Sequence, residues 1–152
     1  MVTSFNPVVV ESPPLGNFER PALAWRQAPP VVRLPTTVED RIRRVFELGV
    51  TATLPLVRQS SLRDYHAYLA TFLSFQFQAS YWGEAEPLVL DTVIATGLCN
   101  PARIPLDSTT GILCEVVFRN ATRLPLALLK VDPRDPNFQM IDDYWHWFWN
   151  CR

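Results

Sequence analysis

The last stretch of this chain limits its fold more than any other. Residues 137–150 read Asn-Phe-Gln-Met-Ile-Asp-Asp-Tyr-Trp-His-Trp-Phe-Trp-Asn, with three of the five tryptophans inside five residues. On a helix, Gln139, Asp143, His146 and Asn150 recur at i, i+4, i+7 and i+11, one narrow polar stripe. Apart from Asp142, the remaining residues are large and mostly apolar or aromatic, so most of the circumference is expected to be covered by protein. Such a segment predicts a docking helix that closes a larger body. In this reading Asp142 points toward the packed side and needs an arginine (Arg119, Arg123 or Arg103) or backbone donors, because an unpaired buried charge is costly.

The body it closes is announced by a change of period. Thr37 with Asp40 three residues on is a capping-box pattern, followed by an apolar face of Val38, Ile42, Val45 and Phe46, and Gly49 is the expected stop. A second helix is predicted from Ser61, with Leu62, Tyr65, Leu69, Phe72 and Leu73 as its buried stripe. From Phe75 the period falls to two: Phe75, Phe77, Ala79 and Tyr81 alternate with Gln76, Gln78 and Ser80, a half-buried strand. Strands are expected at 88–95, 112–119 and 124–131. A turn at 83–87, a long loop at 97–111 and a tight hairpin at 120–122 separate them. Asp135 and Pro136 have the character of an N-cap and first turn for the closing helix.

Short antiparallel strands with a closing helix predict an α+β protein: a small SH3-like antiparallel β-barrel closed by the C-terminal aromatic helix. Two helices precede the barrel, and a proline-rich arm precedes them. Seven of the fourteen prolines fall within residues 1–35, which rules out a continuous helix or a central strand there. The expected division is 1–35 for the arm, 36–73 for the helical segment and 74–152 for the barrel. The arm carries enough apolar residues to be read as an extended strap lying on the body.

Composition narrows the function. A net charge of −1 supplies no field to draw nucleic acid or an anionic membrane. Arg41, Arg43 and Arg44 are interleaved with Glu39, Asp40 and Glu47, which reads as a solvated helix face rather than a nucleic-acid patch. No apolar run is long enough to span a bilayer, and the first residues lack a signal-peptide pattern. Three cysteines without a close pair argue against a disulfide framework or a zinc site. The expected compartment is therefore the cytoplasm, with Cys114 a small buried hydrophobe.

Catalytic motifs are absent from the sequence. Cys99, His146 and Asp143 are the ingredients of a nucleophilic arrangement, but no local signature supports one, and no glycine loop is built for phosphate. His66 reads as a packing or surface residue beside the apolar stripe of the second helix. The protein is expected not to be an enzyme. The carboxylates offer more. Glu84 and Glu86 bracket a turn, Asp91 follows on a strand, Asp107 lies in the long loop, and Asp143 sits on the last helix. Calcium takes six to eight oxygens, and no EF-hand loop is present, so any site has to be assembled from distant segments. Solvated turn carboxylates are the ordinary alternative.

From about residue 69 to 150 the chain resembles the small bacterial CcbP-type calcium-binding proteins. Phe75-Gln76-Phe77-Gln78-Ala79 is similar to that family's Phe-Pro-Phe-x-Ala opening strand, with Gln76 in place of the proline. Residues 111–117 resemble its third strand, and Pro125-Leu126-Ala127-Leu128-Leu129 its Pro-Leu-x-x-Leu segment. Residues 141–147 resemble its closing Ile-x-Asp-Trp-x-Tyr-Trp helix, placing Asp143 on the motif's aspartate. The resemblance implies a calcium-binding protein with Ca2+ ligands drawn from Glu84, Glu86, Asp91, Asp107 and Asp143. Two departures imply weak or degenerate affinity: residues 96–111 hold only Asp107 where the family's loop is rich in carboxylates, and the chain is near neutral. The alternative is a protein-protein interaction module without metal, using the proline-rich arm or the aromatic helix.

Overall fold

The computed structural model describes residues 37–82, 90–118 and 121–152. The first helix, α1 (Val38–Val45), starts as its capping signal predicts, with the Thr37 hydroxyl accepting from the Asp40 amide at 3.2 Å. It stops earlier than Gly49. Glu47 takes the left-handed conformation at φ 53°, with Glu47 N bonding to Arg44 O and Leu48 N to Arg43 O, a Schellman-type closure. The second helix, α2 (Gln59–Phe72), begins at an Arg58 N-cap rather than at Ser61. Ser61 instead lies in the first turn, where its hydroxyl accepts from Arg58 N and donates to Leu56 O.

Five strands follow: β1 (Phe77–Trp82), β2 (Leu90–Leu98), β3 (Leu113–Phe118), β4 (Ala121–Pro125) and β5 (Leu129–Lys130). All are antiparallel, in the order β4-β3-β2-β1-β5. The predicted alternation holds: Phe77, Ala79, Val93, Ala95, Cys114, Val116 and Leu124 turn inward. The register places Phe77 opposite Ala95, Ala79 opposite Val93, and Cys114 opposite Leu124, so these side chains form one continuous face. The predicted single strand 124–131 is in fact broken. A one-turn 3-10 helix (Leu126–Leu128) separates β4 from β5, and these two strands lie on opposite edges of the sheet.

That break explains the curvature. Four residue steps from Pro125 to Leu129 reach at most about 14 Å when extended, and less through a 3-10 turn. A flat sheet of five strands measures about 19 Å between its edge strands. The chain can visit both edges this quickly only if the sheet curls, and it forms a half-barrel.

The closing helix, α3 (Phe138–Asn150), packs on α1 and on the 3-10 turn. It starts later than Asp135 and Pro136 suggested. Asp135 accepts from the Asn137 amide at 2.7 Å, and Asn137 stands at the N-cap, buried, with its side chain turned away from its own helix. Its Oδ1 accepts from Ser74 N and its Nδ2 donates to Ser74 O, tying α3 to the chain entering β1. Tyr65, Tyr144, Trp147 and Phe148 are the largest side chains of the core, and Tyr65 stacks on Trp147 with ring centroids 4.9 Å apart. Among the described residues no helix is long and apolar enough to cross a membrane.

Candidate functional site

The seam between α1 and α3 carries the densest polar geometry in the described structure. Arg41 lies one step beside the apolar stripe of Ile42 and Val45, so its side chain leaves α1 toward α3. There its Nε donates to Asp143 Oδ2 and its Nη2 to Asp143 Oδ1, both at 2.8 Å. Gln139, one turn earlier, donates to Asp143 Oδ1 at 3.1 Å. One turn later His146 Nε2 lies 3.7 Å from Glu39 Oε1. The carboxylate of Asp143 raises the pKa of the Arg41 guanidinium, chiefly through its hydrogen bonds.

Two sequence expectations are corrected here. The middle of the polar stripe of α3 is not a surface contact: Asp143, only 6% exposed, and His146 meet the charges of α1, while Gln139 and Asn150 at its ends are exposed. Asp142 is the exposed aspartate of the pair, on the outer face with Trp145 and Trp149. It therefore has no need of Arg103, Arg119 or Arg123 as a buried partner. The basic cluster is corrected as well. Arg41 serves the seam, while Arg43 pairs with Asp40 at 2.9 Å and donates to Ala52 O, leaving Arg44 exposed. Arg41 was missed because acidic neighbours made the whole helix look solvated. Its place beside Ile42 was the available signal.

The proposed calcium ligands are distributed rather than gathered. Glu84 and Glu86 fall outside the described residues. Asp91 is the second residue of β2, opposite Tyr81 of β1. Asp107 lies in the loop that leaves the other end of β2, so a strand length of about 20 Å separates them. Asp107 organises its own turn: its side chain accepts from Thr109 N and its carbonyl accepts from Gly111 N at 2.7 Å, and hydrogen bonds from Thr109 to the carboxylate hold its pKa below the usual range. Asp143 already has a cation in Arg41. Among the described residues no group of three or more His, Cys, Asp or Glu is placed to hold a metal ion. The described carboxylates thus do not assemble the six or more oxygens that calcium takes.

The loop ending at Gly111 is a structural joint. Gly111 has φ +71°, and a Cβ there would collide with the Tyr144 hydroxyl and lie 2.6 Å from Phe148 Cε2. The next amide, Ile112 N, donates to the Tyr144 hydroxyl at 2.9 Å. Burial pushes the pKa of that phenol well up, the direction expected for a hydroxyl kept neutral in a core.

The nucleophile ingredients are held in other roles. The Cys99 thiol is buried and its pKa is raised by desolvation, and Cys114 is pushed up to about 12 for the same reason. Neither has the lowered pKa of a reactive thiol. His66 Nε2 meets the Cys99 carbonyl at 3.0 Å, and burial lowers the His66 pKa.

No protein family's sequence profile matches the chain, and no curated protein sequence does. Among solved structures, the crystal structure of Anabaena CcbP aligns with it at a TM-score of 0.51 and 18% identity, covering 80% of this chain and 97% of that one. This chain has the fold of Anabaena CcbP. At that identity the likeness is one of fold, and it spans nearly the whole of the CcbP chain.

Proposed function

We propose that this chain is a small non-enzymatic protein of the calcium-binding type, holding its ion weakly. The reading is carried by the fold shared with Anabaena CcbP along 97% of that chain. It is supported by the four segments through which the sequence resembles the calcium-binding family. In this reading the half-barrel is of the SH3-like kind, which the short 3-10 link between its edge strands supports. The ligands proposed are Glu84 and Glu86, in the residues joining β1 to β2, with Asp91 beside them in sequence. Asp107 stands at the other end of β2, and Asp143 belongs to Arg41. Three carboxylates leave most of a calcium shell to backbone oxygens and water, which is the physical reason for weak affinity. Free cysteines suit a reducing compartment, and cytoplasmic residence is part of the proposal.

The test is thermal unfolding in calcium, in magnesium and in chelator. Binding to the native state alone stabilises by RT ln(1 + [L]/Kd), about 0.8 kcal/mol at three times Kd. For a chain of this size that is a rise of about 2–3 °C in Tm. The expected result is a saturable, calcium-specific rise that Glu84→Gln, Glu86→Gln and Asp91→Asn diminish. No rise at several millimolar overturns the reading. It would favour the second one, an interaction module, for which the specific observation is the exposed aromatic face of α3.

A further inference from the structure

The outer face of α3 is apolar where an ordinary surface helix is polar. Trp145 and Trp149, one turn apart, are each 40% exposed, with the exposed Asp142 one turn before Trp145. Between α3 and β5 this face opens into a groove of about 320 Å³, lined by Leu129, Val131, Phe138 and Ile141, with Trp145 as one wall. The apolar surface continues past the groove. Trp149 Nε1 donates to Ala127 O at 3.4 Å, and the next residue, Leu128, is 41% exposed. Scattered exposed hydrophobes are ordinary, but a groove flanked by two tryptophans and a leucine is a patch of the kind that marks an interaction surface.

Two charges belong to the groove, and their signs are opposite. Lys130 comes from β5 and Asp142 from α3, and both are exposed. Among the described residues neither side chain makes a hydrogen bond or an ion pair; Asp142 acts on the Arg41 guanidinium only through its charge. On its other side Lys130 borders an open polar hollow with Asp132, Arg134 and Asp135. Those groups have partners already: Arg134 pairs with Asp132 at 3.3 Å, and Asp135 accepts from Asn137 N. One cation and one anion are left over, on either side of an apolar groove.

Such a face is complementary to itself. In a two-fold dimer residue i of one copy meets residue j of the other, and j meets i, so one patch has to hold both members of every contact. A two-fold across this groove brings Lys130 of each copy to Asp142 of the other, which makes two ion pairs per dimer. An apolar occupant, or one carrying a single charge, covers the groove only by leaving Lys130 or Asp142 without a counter-charge, which is costly. The face is one helix of thirteen residues long, about 20 Å. That is small beside the roughly 800 Å² per partner of a stable interface, so the association is expected in the micromolar range.

We propose that the chain forms a two-fold dimer through the groove between α3 and β5, with Trp145 of each copy against the groove of the other and Lys130 of each against Asp142 of the other. Calcium has no part in this contact, and the test is made in chelator, so its outcome is separate from that of the calcium reading.

Sedimentation velocity of the full chain, from roughly 1 μM to 1 mM, brackets the expected dissociation constant. The expected result is a monomer that becomes a dimer as concentration rises. Lys130→Asp or Asp142→Lys alone sets like charges face to face twice in each dimer, and each is expected to weaken association about tenfold or more. An equal mixture of the two variants is expected to regain it, because each copy then carries both counter-charges of the other. Circular dichroism at low concentration reports whether each variant has folded. Should a charge variant not fold, Trp145→Ala tests the same face with the charges intact, and it too is expected to weaken the dimer. A chain that stays monomeric throughout overturns the proposal, whether another part of the chain or a different protein covers the groove. So does a dimer that a folded Trp145→Ala variant leaves intact, or a mixture of the two charge variants no more associated than its components.

Discussion

Arg41 and Asp143, 102 residues apart in the chain, meet in a two-pronged ion pair in which both carboxylate oxygens accept from one guanidinium at 2.8 Å. The pair joins the first helix to the last across a seam where Asp143 is nearly buried and Arg41 is 24% exposed. Desolvation makes such a pair weak evidence of net stability, yet removing one partner strands the other.

Asp143→Asn is accordingly expected to destabilise the protein by about 2–3 kcal/mol, by analogy with broken pairs of similar burial. The combined Arg41→Met, Asp143→Leu variant is expected to recover most of that loss. Urea unfolding of the singles and the double checks the cycle. Repeating it in calcium separates an ion pair from a metal ligand, because the Asp143→Asn loss stays the same with and without the ion.

Gly111 and Tyr144 make a second joint. Gly111→Ala places a methyl group against the Tyr144 hydroxyl and the Phe148 ring at a positive φ, so a loss of about 3 kcal/mol or more is expected. Tyr144→Phe keeps the ring and leaves the Ile112 amide without its acceptor, at about 1–3 kcal/mol. Thermal denaturation ranks the two, and a Gly111→Ala variant as stable as the parent refutes this account of the joint.

Tyr65 behaves in the opposite sense. Its hydroxyl is buried with no hydrogen-bond partner among the described residues, and burial raises its pKa well above that of a free phenol. Tyr65→Phe removes the unsatisfied group and keeps the ring stacked on Trp147. The expected outcome is unchanged or increased stability, by up to about 1 kcal/mol. A clear destabilisation in urea would show that the hydroxyl is partnered after all.

Acid sensitivity is expected in two windows. Burial lowers the folded pKa of His66, so protonation is taken up more readily by the unfolded chain. Stability is therefore full above the unfolded value of about 6.5 and declines as pH falls from there toward the folded pKa. His66→Gln loses the bond to the Cys99 carbonyl at every pH but removes this component of the slope. Asp40, Asp107 and Asp132 have folded values lowered by hydrogen bonds. Their contribution is present above about pH 4 and is lost as pH falls through the folded values. Unfolding midpoints measured from pH 7.5 to 3 in the parent and in His66→Gln separate the windows.

Much of the fold was legible because local physics wrote it. Thr37 caps α1 through its own hydroxyl, the period change near residue 75 separates helices from strands, and the inward residues of β1, β2 and β3 are those the alternation picks out. Boundaries were less legible where a distant group decided them. Asn137 stands at the α3 N-cap while its side chain is bound to Ser74, 63 residues away. The run 124–131 reads as one strand because its apolar content is continuous. It breaks at Leu126 because its two halves must pair with opposite edges of a curled sheet.

By itself the sequence determined which residues share a face: the stripe of Gln139, Asp143 and His146 on one side of α3, and Asp142, Trp145 and Trp149 on another. Only the tertiary structure decided which face meets protein and which meets solvent. Helical period assigns residues to faces, but a polar stripe can be satisfied by water or by the charges of another helix. Arg41 and Glu39, more than 100 residues earlier, settle it for Asp143 and His146. The same holds for the carboxylates: Asp91 and Asp107 look like neighbours in a list of acidic residues, and the length of β2 stands between them.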